Sequence, residues 1–233
     1  MNLDFKLLVI TFSTTRDDAR LVPLENSLKK YGYDYQVLTG GAYSWGGNNY
    51  VHIAEWLKEN RSDYTHILYT DAWDTLAMAG QEHIRDIYLN IYEPLTANGD
   101  YWLFSAEKNC FPRGDWGAKY PYKGPWTYLC AGGYLAPVDL YIDTVEKRKR
   151  KPGVNDQEWA TEIFLFDNSG KVLIDNDCKI FQTLYMAAPD DLALLPSKKL
   201  YNCVTRTFPI FVHGNAKSPM EWIMRPEANY FAQ

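Results

Sequence analysis

The sequence predicts an α/β protein built on a mainly parallel central sheet flanked by helices. Strand-like runs recur through the first half, and two of them, residues 6–13 (KLLVITFS) and 65–69 (THILY), are nearly continuously apolar. That pattern fits strands buried on both faces. Stretches with helical spacing separate the runs, and such alternation predicts crossover connections and parallel pairing. A pair of carboxylates, Asp71 and Asp74, directly follows the second apolar run. Ligands in open sheets of this kind bind beyond the carboxyl ends of the strands.

The elements follow in order. After the strand at 6–13, Asp17 or Asp18 can cap a helix running to residue 30, with Leu21, Leu24 and Leu28 on one face. Pro23 fits only near the start of such a helix. A second strand is expected at 35–38, closed by Thr39-Gly40-Gly41. Asn48-Asn49 can cap a helix over 50–60, and the strand at 65–69 runs into Thr70-Asp71-Ala72-Trp73-Asp74. A helix over 82–92 and a strand over 101–105 complete the regular half. Residues 108–126, rich in Gly, Pro and aromatics, read as a long loop, and long loops in compact domains are often functional. A strand is expected at 129–136 (LCAGGYLA), with a close backbone approach at Gly132-Gly133. A helical stretch to residue 151, a helix over 155–164, and short apolar pieces at 180–181 and 209–212 follow. No repeat, low-complexity tract or linker divides the 233 residues, so one domain is expected over 1–233.

Composition narrows the classes of function. At 46% hydrophobic and 23% charged, the chain reads as an ordinary globular protein. A net charge of −5 gives no support to nonspecific nucleic-acid binding. Lys147, Arg148, Lys149, Arg150 and Lys151, before Pro152, form one basic run, either a solvated helix end or an anion-binding patch. The 18 Tyr and 8 Trp exceed ordinary usage, so some can line a ligand site while most pack. The four cysteines form no Cys-x-x-Cys pair, which argues against zinc and redox motifs and against a disulfide scaffold. No signal peptide or membrane span is legible, so the expected location is the cytoplasm, of the host cell if the chain is viral.

Three sets of residues can carry chemistry. Asp71 and Asp74, three apart around a turn, can converge on one divalent cation such as Mg²⁺ or Mn²⁺, or else cap a turn and face water. His213, after the apolar piece at 209–212 and before Gly214-Asn215, can be a ligand, a base or a structural histidine. With two carboxylates it makes a set that favours Mn²⁺ over Ca²⁺. Asp156, in Asn155-Asp156-Gln157, can cap a helix or face a reacting sugar. Gly-x-Ser-x-Gly, Walker A and Gly-x-Gly-x-x-Gly motifs are absent.

Seven blocks in order carry a resemblance: LLVITFST, LYTDAWDTL, FSAEKNCFP, LCAGGYLA, NDQEWATEIF, DNDCKIFQTL and PIFVHGNAKS. Over nearly its whole length the chain resembles the glycosyltransferase domain of procollagen lysyl hydroxylases, a domain also found standing alone in viruses and bacteria. The resemblance implies a GT-A-type nucleotide-sugar-binding fold, a UDP-sugar donor and Mn²⁺, with Mg²⁺ as the alternative. It implies that Asp71, Asp74 and His213 bind the metal. It places Trp73 against the nucleotide base and Thr14 near the uracil. Gly214 and Asn215 fall in the diphosphate segment, with Lys217 close by, and Asp156 falls near the donor sugar and acceptor. Asn155 stands where the family often has a second acidic residue, Ala131 replaces a serine, and Lys217 lies closer to His213 than the family's lysine. The expected activity is transfer of a hexosyl or pentosyl group to an acceptor hydroxyl. Candidate acceptors are a hydroxymethylated base in viral DNA, a hydroxylysine or other protein hydroxyl, and a glycan or small molecule. The alternative is a nucleotide-sugar- or glycan-binding module that has lost activity.

Overall fold

The computed structural model describes residues 5–40, 49–60, 63–92, 100–148, 154–167 and 171–224. Gly41, Asn48, Lys149, Arg150, Lys151 and Pro152 lie outside the described residues. A six-stranded sheet has the order β2-β1-β3-β6-β5-β7, from β1 (Leu7–Ser13), β2 (Tyr35–Thr39), β3 (His66–Thr70), β5 (Trp102–Glu107), β6 (Tyr128–Pro137) and β7 (Val172–Ile174). Only β6 runs against the others. The carboxyl ends of β1, β3 and β5 therefore share one edge of the sheet. A three-stranded sheet, β4-β11-β8, comprises β4 (Thr75–Ala77), β8 (Phe181–Thr183) and β11 (Phe211–His213). A hairpin of β9 (Leu192–Leu194) and β10 (Leu200–Asn202) packs Leu192, Leu194 and Leu200 into an apolar cluster with Leu76 and Val212 of the small sheet.

Alternation along the buried strands builds two cores, because successive side chains point to opposite faces. Leu8 and Ile10 of β1 face one core with α2 (Asn49–Asn60), α4 (Val138–Lys147) and α5 (Asp156–Phe166). Leu7 and Val9 face the other, with α1 (Val22–Lys30), α3 (Gln81–Ile87), Phe181 and Phe211. The second core thus joins the large sheet to the small one. A short helix, α6 (Glu221–Met224), packs Ile223 against Val212 and Met220. No helix among the described residues is long and apolar enough to cross a membrane.

Three local findings refine the sequence expectations. Asp18 is the cap, its side chain accepting from the Arg20 amide ahead of a 3-10 turn at Ala19–Leu21, with Pro23 at the start of α1. The helix expected over 82–92 is α-helical only as α3 and then widens into a π turn, Tyr88–Tyr92. The wider turn puts Tyr88 and Tyr92 both into the core, where Tyr88 and Tyr101 exchange hydroxyl-to-carbonyl hydrogen bonds. The expected loop at 108–126 contains a 3-10 stretch, Gly114–Lys119, anchored by the buried Trp116.

Candidate active site

The site is assembled by strand register. Asp71 follows β3, and its amide donates to the Gly132 carbonyl of β6 at 3.0 Å. Asp74 precedes β4, which pairs antiparallel with β11 so that Thr75 faces His213. The Gly214 amide then donates to the Asp74 carbonyl at 2.7 Å. His213 Nε2 ends 3.3 Å from Asp71 Oδ2 and 3.4 Å from Asp74 Oδ1. The imidazole is buried while the two carboxylates are about half-exposed, so the cluster opens to solvent on its acidic side.

Gly132 makes the space. Between Phe104 and Ser105 the β5–β6 register jumps from Tyr134 to Cys130, so residues 131–133 form a bulge. A Cβ on Gly132 would lie 2.3 Å from His213 Cε1 and 2.6 Å from Asp71 Oδ2. Of the two glycines at which a close approach is expected, Gly132 faces the cluster and Gly133 faces Phe181 and Ser105.

The electrostatics couple the three residues. Burial alone would lower the His213 pKa, but the Asp74 charge and hydrogen bonds with Asp71 and Asp74 hold it well above its usual value. Burial alone would raise Asp74, but the His213 charge brings it below the usual carboxylate range. A raised histidine contributes stability that is fully present below the unfolded value of about 6.5 and lost as pH rises through the folded value. The depressed Asp74 contributes above its unfolded value and loses that contribution as pH falls through its folded one. The pair therefore stabilises the ion-free protein between those limits. Each tenfold gain in the proton affinity of the buried imidazole is worth about 1.4 kcal/mol, and about 2–4 °C of Tm follows per kcal/mol in a chain of this size. We expect the Tm of EDTA-treated protein to fall as pH rises above about 6.5, and His213→Gln to flatten that slope. Superimposable pH profiles would show that the pair does not form.

One atom set in the cluster suits a divalent cation. A ligand atom from each of Asp71, Asp74 and His213 falls within 4.8 Å of the other two. Two carboxylate oxygens and an imidazole nitrogen, with the side-chain space left by Gly132, fit an ion such as Mn²⁺.

A second, buried network supports the site from behind. Glu107, at the end of β5, accepts from Gln157 Nε2 at 2.6 Å and from Asn215 Nδ2 at 3.1 Å. Gln157 also donates to the Leu129 carbonyl and accepts from the Ala131 amide, both at 2.6 Å. Asn215 Oδ1 accepts from the Leu184 and Tyr185 amides at 3.1 and 2.9 Å. These bonds tie α5, β5, β6 and the turn after β11 into one unit. Burial pushes the Glu107 carboxyl up to about 7, against hydrogen bonds from Gln157 and Asn215 and the charge of His213.

The remaining expected residues lie around this frame. Asn155 is the cap of α5, and Asn155 and Asp156 both accept from the Gln157 amide at 2.8 Å. The Asp156 charge acts on Tyr50 and Tyr69, as does that of Asp71, so the two carboxylates border a common region. The Tyr50 hydroxyl there is buried and has no hydrogen-bond partner among the described residues. Thr14 lies half-buried just beyond β1. Trp73 Nε1 donates to Ser13 Oγ at 3.4 Å, and Arg20 lies 3.7 Å over the Trp73 ring, held there by Asp18. Ala216 and Lys217, with φ of 53° and 62°, adopt left-handed backbone directly after Gly214 and Asn215. Such strain in non-glycine residues clusters at ligand sites. Lys217 is exposed.

Glu107, Gln157 and Tyr69 receive no role from sequence reasoning. All three fall within the blocks that carry the resemblance, but only the folded contacts reveal their partners. Of the basic run, Lys147 and Arg148 are ion-paired with Asp143 and Asp167. Both border a cavity with Trp102 and Val172, which begin β5 and β7 at the sheet edge opposite the Asp–Asp–His cluster.

Comparison with known proteins agrees with this architecture. The family profile described as PLOD GT domain matches residues 3–233. The uncharacterized protein R699 of Acanthamoeba polyphaga mimivirus is 26% identical over 247 residues, spanning 99% of this chain and 50% of that protein. The human multifunctional procollagen lysine hydroxylase and glycosyltransferase LH3 is 26% identical over 234 residues, 93% of this chain and 30% of that protein. The chain thus spans half the length of the first relative and under a third of the second. Among solved structures, a glycosyltransferase involved in glycosylation of the major capsid of PBCV-1 superposes with a TM-score of 0.57 at 10% identity, covering 95% of this chain and 98% of that one. The galactosyltransferase LgtC, bound to donor and acceptor sugar analogs, gives 0.54 at 13% identity, covering 97% and 96%. The fold is of the GT-A type.

Proposed function

The chain belongs to the PLOD GT domain family, and from that premise we propose that it is a Mn²⁺-dependent glycosyltransferase moving a sugar from a UDP-sugar to an acceptor hydroxyl. The observation that carries this reading is the convergence of Asp71, Asp74 and His213 at the carboxyl edge of the sheet, around the space left by Gly132.

Asp71, Asp74 and His213 would hold the ion, Mn²⁺ or in its place Mg²⁺. When bound, the ion would offset negative charge on the donor diphosphate as the sugar–phosphate bond breaks. His213 must give up its proton to serve as a ligand, so loading releases a proton. Trp73 would stack on the base, its ring already braced by Arg20. Thr14, at the end of β1, would contact the uracil. The amide of Asn215 is committed to Glu107, Leu184 and Tyr185, so the segment from Gly214 through Lys217 would meet the diphosphate through its backbone and the exposed Lys217. Asp156 would orient the transferred sugar or the acceptor hydroxyl, with Asn155 fixing its helix start. Lys147 and Arg148, the described part of the basic run, lie at the opposite edge and are ion-paired with Asp143 and Asp167; the acceptor would be a hydroxyl on modified DNA, protein or glycan.

Incubation with UDP-glucose, UDP-galactose and other UDP-sugars, followed by UDP release, tests the reading. We expect Mn²⁺-dependent donor hydrolysis with at least one donor, and EDTA to abolish it. Binding of UDP and Mn²⁺, seen as a rise in Tm, without turnover of any donor would identify a non-catalytic binding module instead. Absence of both would remove the reading altogether.

A further inference from the structure

Tyr69 is the last but one residue of β3, two positions before Asp71, and its ring is buried. A buried phenol needs a partner for its hydroxyl. Here the hydroxyl donates to Asp71 Oδ1 at 3.1 Å and accepts from Asn49 Nδ2 at 3.4 Å. The other oxygen of the same carboxylate, Oδ2, is the one that lies 3.3 Å from His213 Nε2. The two oxygens of Asp71 are therefore distinguished by the fold: one is tied inward, and one is turned to the cluster.

We infer that Tyr69 is a positioning residue that presents Asp71 as a one-oxygen ligand to the divalent cation. The inference rests on the metal reading given above and names the device that sets the geometry of that site. Asp71 is about half-exposed and its neighbours leave it room on the solvent side. Without a restraint its carboxylate would rotate, and binding a cation would have to freeze that rotation. The hydroxyl of Tyr69 supplies the restraint in advance. Partners of metal ligands generally act in this way, and their loss weakens metal affinity about 10–100-fold.

The phenol is itself held. Its ring stacks on Tyr134 at 4.9 Å, and Tyr134 stacks on Tyr50 and Tyr141 at 5.4 and 5.8 Å. A phenol is protonated at neutral pH, so the hydroxyl has a proton to donate to the carboxylate. Asn49, the first residue of α2, fixes its orientation from the other side. Tyr134 provides an internal control, because its hydroxyl bonds to Tyr141 in the same aromatic stack and does not touch Asp71.

The test is Mn²⁺ binding, followed by the electron paramagnetic resonance signal of free Mn²⁺, on the full chain and two variants. Tyr69→Phe should weaken Mn²⁺ binding about 10-fold or more, while maximal donor hydrolysis at saturating Mn²⁺ stays within about threefold of the parent. Tyr134→Phe should leave Mn²⁺ affinity within about twofold, although it also removes a buried hydroxyl. Equal affinities for Tyr69→Phe and the parent would overturn the inference while leaving the metal site intact. Equal losses in the two variants would overturn it as a general effect of disturbing the stack. Failure of the parent to bind Mn²⁺ at all would remove the inference together with the metal reading, and is distinguished from the other outcomes by the parent curve alone.

Discussion

Asp71→Asn should lower Mn²⁺-dependent turnover of a UDP-sugar by about a thousandfold or more, because it removes a charge at the place where the ion must be held and the diphosphate charge offset. The substitution keeps the size and shape of the side chain. Its carboxamide oxygen can still accept from Tyr69, which turns the NH₂, a donor that cannot ligate a cation, toward His213 and Asp74. Asp71 is about half-exposed and carries no part of either core, so folding should survive with a Tm change of only a few degrees. The effect should divide cleanly: Mn²⁺ affinity falls, and raising Mn²⁺ recovers part of the lost rate. UDP release within about tenfold of the parent in Asp71→Asn would defeat the proposed role, since a true metal-binding carboxylate cannot be neutralised so cheaply.

Much of the first half of the fold is visible in the sequence because its information is local. Leu7 to Ile10 must be buried on both faces, and the structure divides them between two cores in strict alternation. The position of Asp71 beyond a buried strand follows from the second apolar run, residues 65–69, as does the expectation of a ligand site at that edge. Other parts are written in pairings between distant segments. Nothing in residues 75–77 says that they pair with 211–213, yet that register sets His213 beside Asp74. The short strands β4, β8 and β11 have three residues each, too few for a period to show. Glu107 shows the same limit at the level of a side chain. It sits in an apolar strand as an isolated charge, and only the contacts with Gln157 and Asn215, 50 and 108 residues away, make it a buried hub. The expectation at Gly132-Gly133 is of the intermediate kind. A pair of glycines in a strand announces that something comes close, but the identity of the neighbour requires the fold.

That neighbour makes Gly132→Ala the most informative single methyl group in the protein. Its Cβ would sit 2.3 Å from His213 Cε1 and 2.6 Å from Asp71 Oδ2, distances at which something must move. The imidazole has little freedom to yield: it is buried, stands at the end of a strand paired on both sides, and is followed by the Gly214 bond to Asp74. Asp71 can rotate toward solvent only by breaking its bond to Tyr69. Either movement separates the three ligand atoms, so Mn²⁺ binding and donor hydrolysis should both fall about 100-fold or more. The strain of an added methyl group in a packed place is about 1–3 kcal/mol, or several degrees of Tm, which leaves the protein folded and the comparison meaningful. Gly117→Ala is the control, because a Cβ there makes only ordinary contacts of 3.5 Å and longer with Tyr128 and Cys110. If Gly132→Ala binds Mn²⁺ as the parent does, the space at the bulge is not reserved for the cluster and the Asp–Asp–His geometry is not what the site depends on. If it binds no Mn²⁺ while the Gly117 variant binds normally, the absence of one side chain on β6 is as much a part of the metal site as the three side chains that line it.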